Sequence, residues 1–516
     1  MVVALPSVQN YLVDRATAFV SEKLETRVEI GRIRVGVLGS LRIDGFYVED
    51  YQRDTLLYAG KAKVFLTGLP DKSGLTFRNG ILSNVKLNLR ETPSGEMNIK
   101  QVVQHLKREK DTVRKPFALR VEDVRLDNVN VLIERQNHRN PLYGVDYSNM
   151  HIKHISAFVD NFYFDSGEIG GYIRNLAALE RSGFMVQNFT GRFAVDKGVI
   201  DLRDFEVMSR NSDIRLHSLK FTGEDWNSYK DFIHNVEIEG ELYRSAVSTD
   251  DIAYFAPRLQ PWHLSVRDAN VFVTGTVADL HVDVDNVTIG DQSDLDCEVV
   301  LRGLPNVKRA GMSVNLHNLT TNQKDMNMLL SGITGKPLPK KVLSIANSAG
   351  EMILAGDFSG SMRTFNTNMN LITEVGSAQL TAQFENSEAK RIIDDKGMAR
   401  ISPATSIIEA DADLQSLNVG RLIGQKLLGN LTGRLHFGGV KVQKGIRGQV
   451  RGEIGSLVFN DCDYSDLWVA GTVENKSFSG EVSGSSEPLC FNLAGKADLN
   501  GGRPIYDFRL KLDDAD

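Results

Sequence analysis

The nearest thing to a metal-ligand pair in this chain is HIKH, which places His151 and His154 three residues apart. On a helix that spacing would aim both imidazoles at one ion. The surrounding NMHIKHISAFVDNFYF instead alternates as a strand does, which sends the two rings to opposite faces. Carboxylates that could work as an acid and a base are Asp394 with Asp395, Asp513 with Asp514, and Asp201 with Asp204. The first two pairs sit in polar stretches that solvated loops account for. The third flanks a strand core, and a chain with 66 acidic residues makes such pairs by chance. GITGKP at 332–337 is too short for a phosphate-binding loop and lacks the Ser or Thr that would contact magnesium. HExxH, GxSxG and GxGxxG do not occur. Cys297, Cys462 and Cys490 show no CxxC spacing; Cys462 and Cys490 could pair in an oxidising compartment, but two ordinary half-buried thiols are the simpler expectation. The residues that could do chemistry therefore lead to the expectation of a protein that is not an enzyme, with no catalytic group, no metal and no cofactor.

The elements around these residues carry more information. LRIDGFYV at 41–48, VRLDNVNV at 124–131 and VDVDNVTI at 282–289 share one pattern, two alternating halves joined by a turn-type pair. IDLRDFEV (200–207), IRLHSLKF (214–221) and LSVRDANV (264–271) keep the spacing with a relaxed centre. Alternation puts successive side chains on opposite faces of a strand. The three-residue step from Ile43 to Phe46, or from Leu126 to Val129, would flip the apolar face. Either a β-bulge or a tight hairpin, at Asp44-Gly45 or Asp285-Asn286, must absorb the odd residue. Both devices predict a mostly β chain built as an elongated, curved and twisted sheet.

Hydrophobic content of 41% with 24% charged residues is that of a folding chain, and 60 Lys+Arg against 66 Asp+Glu leaves a net charge of -6. No long basic block is present, which argues against a nucleic-acid partner. No apolar run reaches the length of a membrane-spanning helix, and the start lacks the features of a signal peptide. Pro6 followed by Val8, Leu12, Ala16, Phe19, Val20 and Leu24 predicts a short amphipathic helix. From Val28 the period becomes two, with short helical interruptions at Ile99 to Leu106, Ile252 to Leu259 and Leu417 to Leu428. Loops are expected at 107–116, 332–341 and 386–397.

LPSVQNYLVDRATAFVSEKLETRVEIGRI at the start and VEDYQRDTLLYAGKAKVFL at 48–66 resemble the N-terminal region of the TamB family, within the AsmA-like superfamily, in the form found in Bacteroidetes. VDNFYFDSG (159–167), LERSGFMVQNFTG (179–191), DIAYFAP (251–257) and LRGLPN (301–306) follow in the order expected of that family, so the likeness covers roughly residues 5 to 330. The resemblance implies a taco-like sheet with an apolar trough in the periplasm of a Gram-negative envelope. It implies phospholipid carried toward the outer membrane, or support for outer-membrane protein assembly and secretion with a TamA-like barrel partner. Members have a transmembrane helix just before the LPSVQ-like segment and a C-terminal domain far downstream. These are expected outside the given sequence, with the inner-membrane anchor in the first and the barrel partner docking through the second.

The organisation expected is a helix at 1–26, an N-terminal β module at 27–110, a β-groove region at 111–330 and a continuing β-rich region at 331–516. The groove-lining candidates are Leu41, Ile43, Phe46 and Val48; Val124, Leu126, Val129 and Val131; and Val282, Val284, Val287 and Ile289. A secreted β-solenoid binding protein or adhesin without lipid cargo is the alternative. It calls for a fixed period, and motif spacings of 83 residues from 41 to 124 and 18 from 264 to 282 weaken it. An outer-membrane barrel fits poorly with the opening helix.

Overall fold

A computed structural model of the chain describes residues 6–36, 39–66, 74–100, 118–136, 141–165, 167–306, 310–361, 363–387, 390–393, 399–402, 405–442, 445–475, 477–485, 489–498 and 505–515. The chain divides into two units, Met1–Phe272 and Val273–Asp516. Each is mostly β, as the alternation predicts.

The first unit opens with helix α1 (Pro6–Leu24) and continues through β1 (Val28–Val35), β2 (Ser40–Glu49), β3 (Thr55–Leu66), β4 (Gly74–Arg90), β5 (Ala118–Glu134), β6 (Asn149–Asp165), β7 (Glu168–Glu180), β8 (Met185–Asp196), β9 (Val199–Met208), β10 (Asp213–Thr222), a short helix α2 (Phe232–Asn235), β11 (Glu237–Ser248) and α3 (Thr249–Ile252). Strand β12 (Ser265–Thr276) spans the division between units. From β1 to β11 each strand pairs with its sequence neighbour, antiparallel throughout except for the parallel pair β4–β5.

The second unit contains β13 (Asp279–Ile289), β14 (Ser293–Arg302), β15 (Gly311–Thr321), helices α4 (Gln323–Thr334) and α5 (Lys340–Ala349), β16 (Met352–Gly360), β17 (Thr364–Thr373) and β18 (Gly376–Ser387). A separate hairpin of β19 (Lys390–Ile393) and β20 (Ala399–Ser402) follows, then β21 (Thr405–Asn418), α6 (Val419–Ile423), β22 (Leu428–Val442), β23 (Gly445–Phe459), β24 (Cys462–Glu474), β25 (Ser477–Gly484), β26 (Leu489–Asp498) and β27 (Ile505–Ala515). Apart from that hairpin the strands again pair in chain order, with β18 joined directly to β21.

Three loop expectations meet different outcomes. Residues 107–116 lie outside the described residues. In 386–397 the strand β19 replaces part of the expected loop. GITGKPLPKK spans the end of α4, a connection and the start of α5, because Gly335 takes the left-handed conformation, φ 68°, that ends a helix. Of the expected helix at 417–428 only Val419–Ile423 is helical; Leu417 and Leu428 belong to strands.

The repeated motif resolves as strand, not hairpin. Ile43 and Phe46 lie on one continuous strand, as do Leu126 and Val129, and Val284 and Val287. The odd residue is absorbed by a left-handed backbone: Gly45 has φ 70°, Asn128 54° and Asn286 55°. Asp204 (φ 47°) and Asp268 (φ 51°) do the same in the relaxed copies IDLRDFEV and LSVRDANV. In IRLHSLKF no residue has positive φ, and a register shift between Leu216 and Ser218 takes its place.

A bulge in the usual sense sets two residues against one. That holds at β13–β14, where Val284 and Val287 pair with Cys297 and Leu295, and at β5–β6, where Leu126 and Val129 pair with Ala157 and Ile155. From β1 to β5 the arrangement differs. The steps Ile30 to Ile33, Ile43 to Phe46, Ala59 to Ala62, Leu82 to Val85 and Leu126 to Val129 are all three residues long and lie side by side in register. The extra residue is matched from strand to strand, forming a crease across five strands. Gly31 has to be glycine there, since a Cβ would stand 2.9 Å from the Asp44 carbonyl oxygen.

Candidate functional site

Residues opposite one another in a ladder share a face, so the registers can be read across the strands as rows. In the first unit four rows cross β1 to β6. They are Val28, Val48, Leu57, Leu87, Val131, Ile152; Ile30, Phe46, Ala59, Val85, Val129, Ile155; Ile33, Ile43, Ala62, Leu82, Leu126, Ala157; and Val35, Leu41, Val64, Gly80, Val124, Val159. Every position is apolar apart from Gly80. The crease lies between the second and third rows and lets the apolar face continue across an odd step. Without it, half of each strand would turn its apolar residues to the other side.

The groove-lining candidates of LRIDGFYV and VRLDNVNV all fall in these rows. Leu41, Ile43, Phe46, Val124, Leu126, Val129 and Val131 are half-buried, and Val48 is buried. Arg125 is exposed and Asn130 half-buried. In the second unit Val282 pairs with Val299, which pairs with Val314 and then Phe358, while Val284 is followed by Cys297 and Leu316. Val282 and Val284 are half-buried, Val287 and Ile289 buried, and Asp283 exposed. Rows persist to the far strands, as in Ala412, Leu435, Gly452, Val469, Val482, Leu493, Leu510. Aromatic residues thicken this face: Phe365 stacks between Phe358 and Phe384 at centroid distances of 5.1 and 5.2 Å.

The opposite face is charged. Arg203 makes a two-pronged contact with Asp201, Arg174 meets Asp160 at 2.8 Å, Arg434 meets Asp413 at 3.1 Å and His436 meets Asp411 at 2.7 Å. A concavity of about 750 Å³ in the second unit opens on this side, lined by Gln449, Arg451, Thr472, Ser479, Glu481, Lys496, Asp507 and Arg509.

Helices pack against particular ends of the rows. Val20 and Leu24 of α1 meet Val28, Phe46, Val48, Leu56 and Leu57. In the second unit Met326 of α4 and Ala346 and Ala349 of α5 meet Met352, Leu354 and Leu371. Three buried carboxylates that the sequence does not reveal are Asp50 after β2, Asp251 in α3 and Asp325 in α4. Asp50 accepts from the Gln52 and Asp54 amides and from Asn98 Nδ2. Asp251 accepts from the hydroxyls of Ser209 (2.6 Å) and Ser212 (2.8 Å), the Asn211 amide and Asn211 Nδ2. Asp325 accepts from the Gln292 amide and the Ser293 hydroxyl, both at 3.0 Å, and from the Asp291 amide. Burial raises the Asp325 carboxyl, yet these donors outweigh it and hold the group below the ordinary carboxylate range. Asp50 is engaged mainly by amides of its own turn, whereas Asp251 and Asp325 are engaged by donors of a turn between two strands, which makes each carboxylate a brace.

The chemical candidates are dispersed. His154 sits at a left-handed position, φ 51°, so the strict alternation expected across HIKH does not hold. Ile152 and Ile155 both stay in the apolar rows, against Val131 and Val129. Among the described residues no three of His, Cys, Asp and Glu gather as metal ligands. Asp201 is occupied by Arg203, and Asp204 is the left-handed residue of its strand. All three cysteines are free: Cys462 is exposed, Cys490 half-buried, and Cys297 buried in an apolar row with its thiol pushed up to about 11, chiefly by burial. No described helix is long and apolar enough to cross a membrane, a finding that does not bear on β-barrels. Comparison with protein-family models, curated proteins and solved structures returned no match.

Proposed function

We propose that the chain is a non-enzymatic scaffold of the TamB and AsmA-like type whose apolar sheet face holds the acyl chains of phospholipid. The observation that carries this reading is the set of four apolar rows across β1 to β6, which remain half-buried over most of their length. A globular domain covers such a face with a second layer. Here the described helices meet only particular row ends, leaving apolar area for which an alkyl chain is a fitting cover. Burial stabilises by about 25 cal/mol per Å² of apolar surface, and no nucleophile, metal or cofactor is needed.

On this reading the residues act as a surface. Val85, Val129 and Phe46 supply apolar floor, the crease keeps that floor on one side, and the charged opposite face stays in water. Following the resemblance, the setting is the periplasm, with the inner membrane reached through a preceding helix and a TamA-like outer-membrane barrel through a distant C-terminal domain. Support for outer-membrane protein assembly and secretion belongs to the same reading.

The test is mass spectrometry of lipid extracted from the purified chain, together with photo-crosslinking from a benzophenone side chain at Leu126 or at the exposed Arg125. Phospholipid should co-purify and crosslink from position 126 far more than from 125. Equal crosslinking from both faces, or a lipid-free chain that takes up none from vesicles, overturns the reading.

A further inference from the structure

In CDYSDLWVAGTVE alternation sends Leu467, Val469 and Gly471 into the apolar rows and Trp468 to the charged face. Leu467 is buried, while Trp468 is 42% exposed. The register places the indole at the end of a row, Asp413, Arg434, Glu453, Trp468, that crosses β21 to β24. Hollows of about 480 Å³ and about 790 Å³ flank this row, and all four of its residues border both. Small side chains leave the ring uncovered: Ala470 follows it on the same face of β24, and Ser483 stands opposite on β25. Among the described residues Trp468 takes part in no ring stack, cation–π contact or side-chain hydrogen bond.

The polar groups beside the indole offer donors and acceptors in alternation. The next row of the same face runs Asp411, His436, Arg451, Ala470. Glu453 and Arg451 are exposed, and their side chains make no hydrogen bond or ion pair among the described residues. Three carboxylates against two guanidiniums and an imidazole leave no positive surplus for a phosphate ligand. Strands β21 to β24 are each paired along both sides, so there is no edge to which an extended peptide could add. Lining of this polarity does not suit an alkyl chain either. A pyranose fits what remains, since it has an apolar C–H face to lie on an indole and a rim of hydroxyls that both donate and accept. From Asp413 to Trp468 the row crosses three strand spacings, about 14 Å, which is the reach of a short oligosaccharide. Equatorially linked pyranoses extend as a ribbon that can follow such a row, whereas axially linked ones curl away from it.

We propose that the charged face of β21 to β24 binds an extended, uncharged oligosaccharide of equatorially linked pyranoses, with one ring stacked on Trp468 and hydroxyls meeting Glu453, Arg434 and Arg451. The site lies on the face opposite the apolar rows, needs no cargo in them and is independent of the function proposed above.

The experiment is titration of the full chain with cellotetraose and N-acetylchitotetraose, both equatorially linked, and with axially linked maltotetraose, followed by calorimetry and by indole emission. The other tryptophans are Trp226 and Trp262, so Trp226→Phe with Trp262→Phe leaves Trp468 as the sole reporter. Its emission should change with at least one of the equatorially linked tetrasaccharides and stay constant with maltotetraose. Trp468→Ala should lower the affinity about tenfold, the factor a stacked ring supplies, and Trp468→Phe should recover most of it. Glu453→Gln should lower it about threefold. The probes carry no charge, so added salt should leave their binding unchanged. Circular dichroism of Trp468→Ala should match that of the unaltered chain, because the ring lies on the wet face. Should that variant misfold, the emission of the sole-tryptophan chain decides. Binding of neither equatorially linked probe at millimolar concentration, an unresponsive indole, equal binding of maltotetraose, or full affinity in a folded Trp468→Ala chain overturns the proposal. Binding abolished by salt also overturns it, assigning the face to a charged ligand. Val129→Asp, which tests the rows, should bind these probes as the unaltered chain does.

Discussion

Asn128 Nδ2 donates to Asn84 Oδ1 at 2.8 Å across the parallel pair β4–β5, and both asparagines hold a left-handed backbone, with φ 54° and 55°. His154, also left-handed, brings Nδ1 to 3.3 Å from Asn128 Oδ1. Three neighbouring strands thus spend their extra residue at adjoining positions and tie those residues together by side chain. Asparagine tolerates this conformation better than most residues, which explains why the turn-type pair recurs inside strands.

Replacing Asn128 by valine should therefore destabilise the first unit by about 2 kcal/mol, since a β-branched residue at positive φ is strained and the amide bond to Asn84 is lost. Asn128→Gly loses only the side-chain bond and should cost about 0.5–1 kcal/mol. Hydrogen exchange of the β4–β6 amides reports both. Equal protection in the valine and glycine variants would show that the backbone at 128 is not imposed by the crease.

A charge on an open face is tolerated better than a charge in a closed core. Val129→Asp and Val284→Asp should leave circular dichroism and melting nearly intact while reducing bound phospholipid and its transfer between liposomes. Asn130→Ala and Asp283→Ala should change neither. Outright unfolding of Val129→Asp would mark the rows as an ordinary core, and normal lipid loading would place the cargo elsewhere.

Asp325→Asn should cost about 1–3 kcal/mol at neutral pH, because an amide cannot accept from all the donors that converge on the carboxylate. The native carboxyl titrates below its unfolded value, so its contribution is complete above the unfolded pKa of about 3.9 and is lost as pH falls through the lower folded value. Urea unfolding of the two chains should differ most near pH 7 and converge below about pH 4. A difference that grows on acidification contradicts the assignment.

Thiol chemistry offers a mild probe of the rows. Cys462 is exposed and should react readily with a disulfide reagent at pH 8, whereas Cys297, buried and raised to about 11, should react only on unfolding. Mass-resolved labelling distinguishes them. Fast labelling of Cys297 in the folded chain would mean that the row at Val284 and Leu316 is not closed over it.

The apolar face was legible because Leu126 and Val129, or Val284 and Val287, stand three apart in otherwise alternating strands. What was not legible is the matching of such steps between strands. Gly31 and Gly60 look like ordinary glycines until Asp44 and Asn84 are placed beside them, a relation set by register that no local pattern carries. Buried carboxylates were missed for a similar reason: Asp50 and Asp251 are satisfied largely by amides or by residues distant in sequence. Asp325 left a trace, since Asn322 three residues ahead caps α4 and accepts from the Asp325 amide at 2.9 Å, an arrangement whose spacing precedes many helices. HIKH lies on a strand, as its surroundings imply, but one left-handed residue, His154, interrupts the alternation on which face assignments rest.

Strand pairing with the sequence neighbour, within each unit, bears on how the chain can be made. A ladder of this kind requires no closure between distant segments, so every strand finds its partner among residues already present when it arrives. The parallel joint at β4–β5 is the main delay, since the chain must return through residues 91–117 before β5 can lie down. Delivered from its N-terminus, such a chain can assemble strand by strand, with one open edge waiting at a time, so synthesis and folding can proceed together.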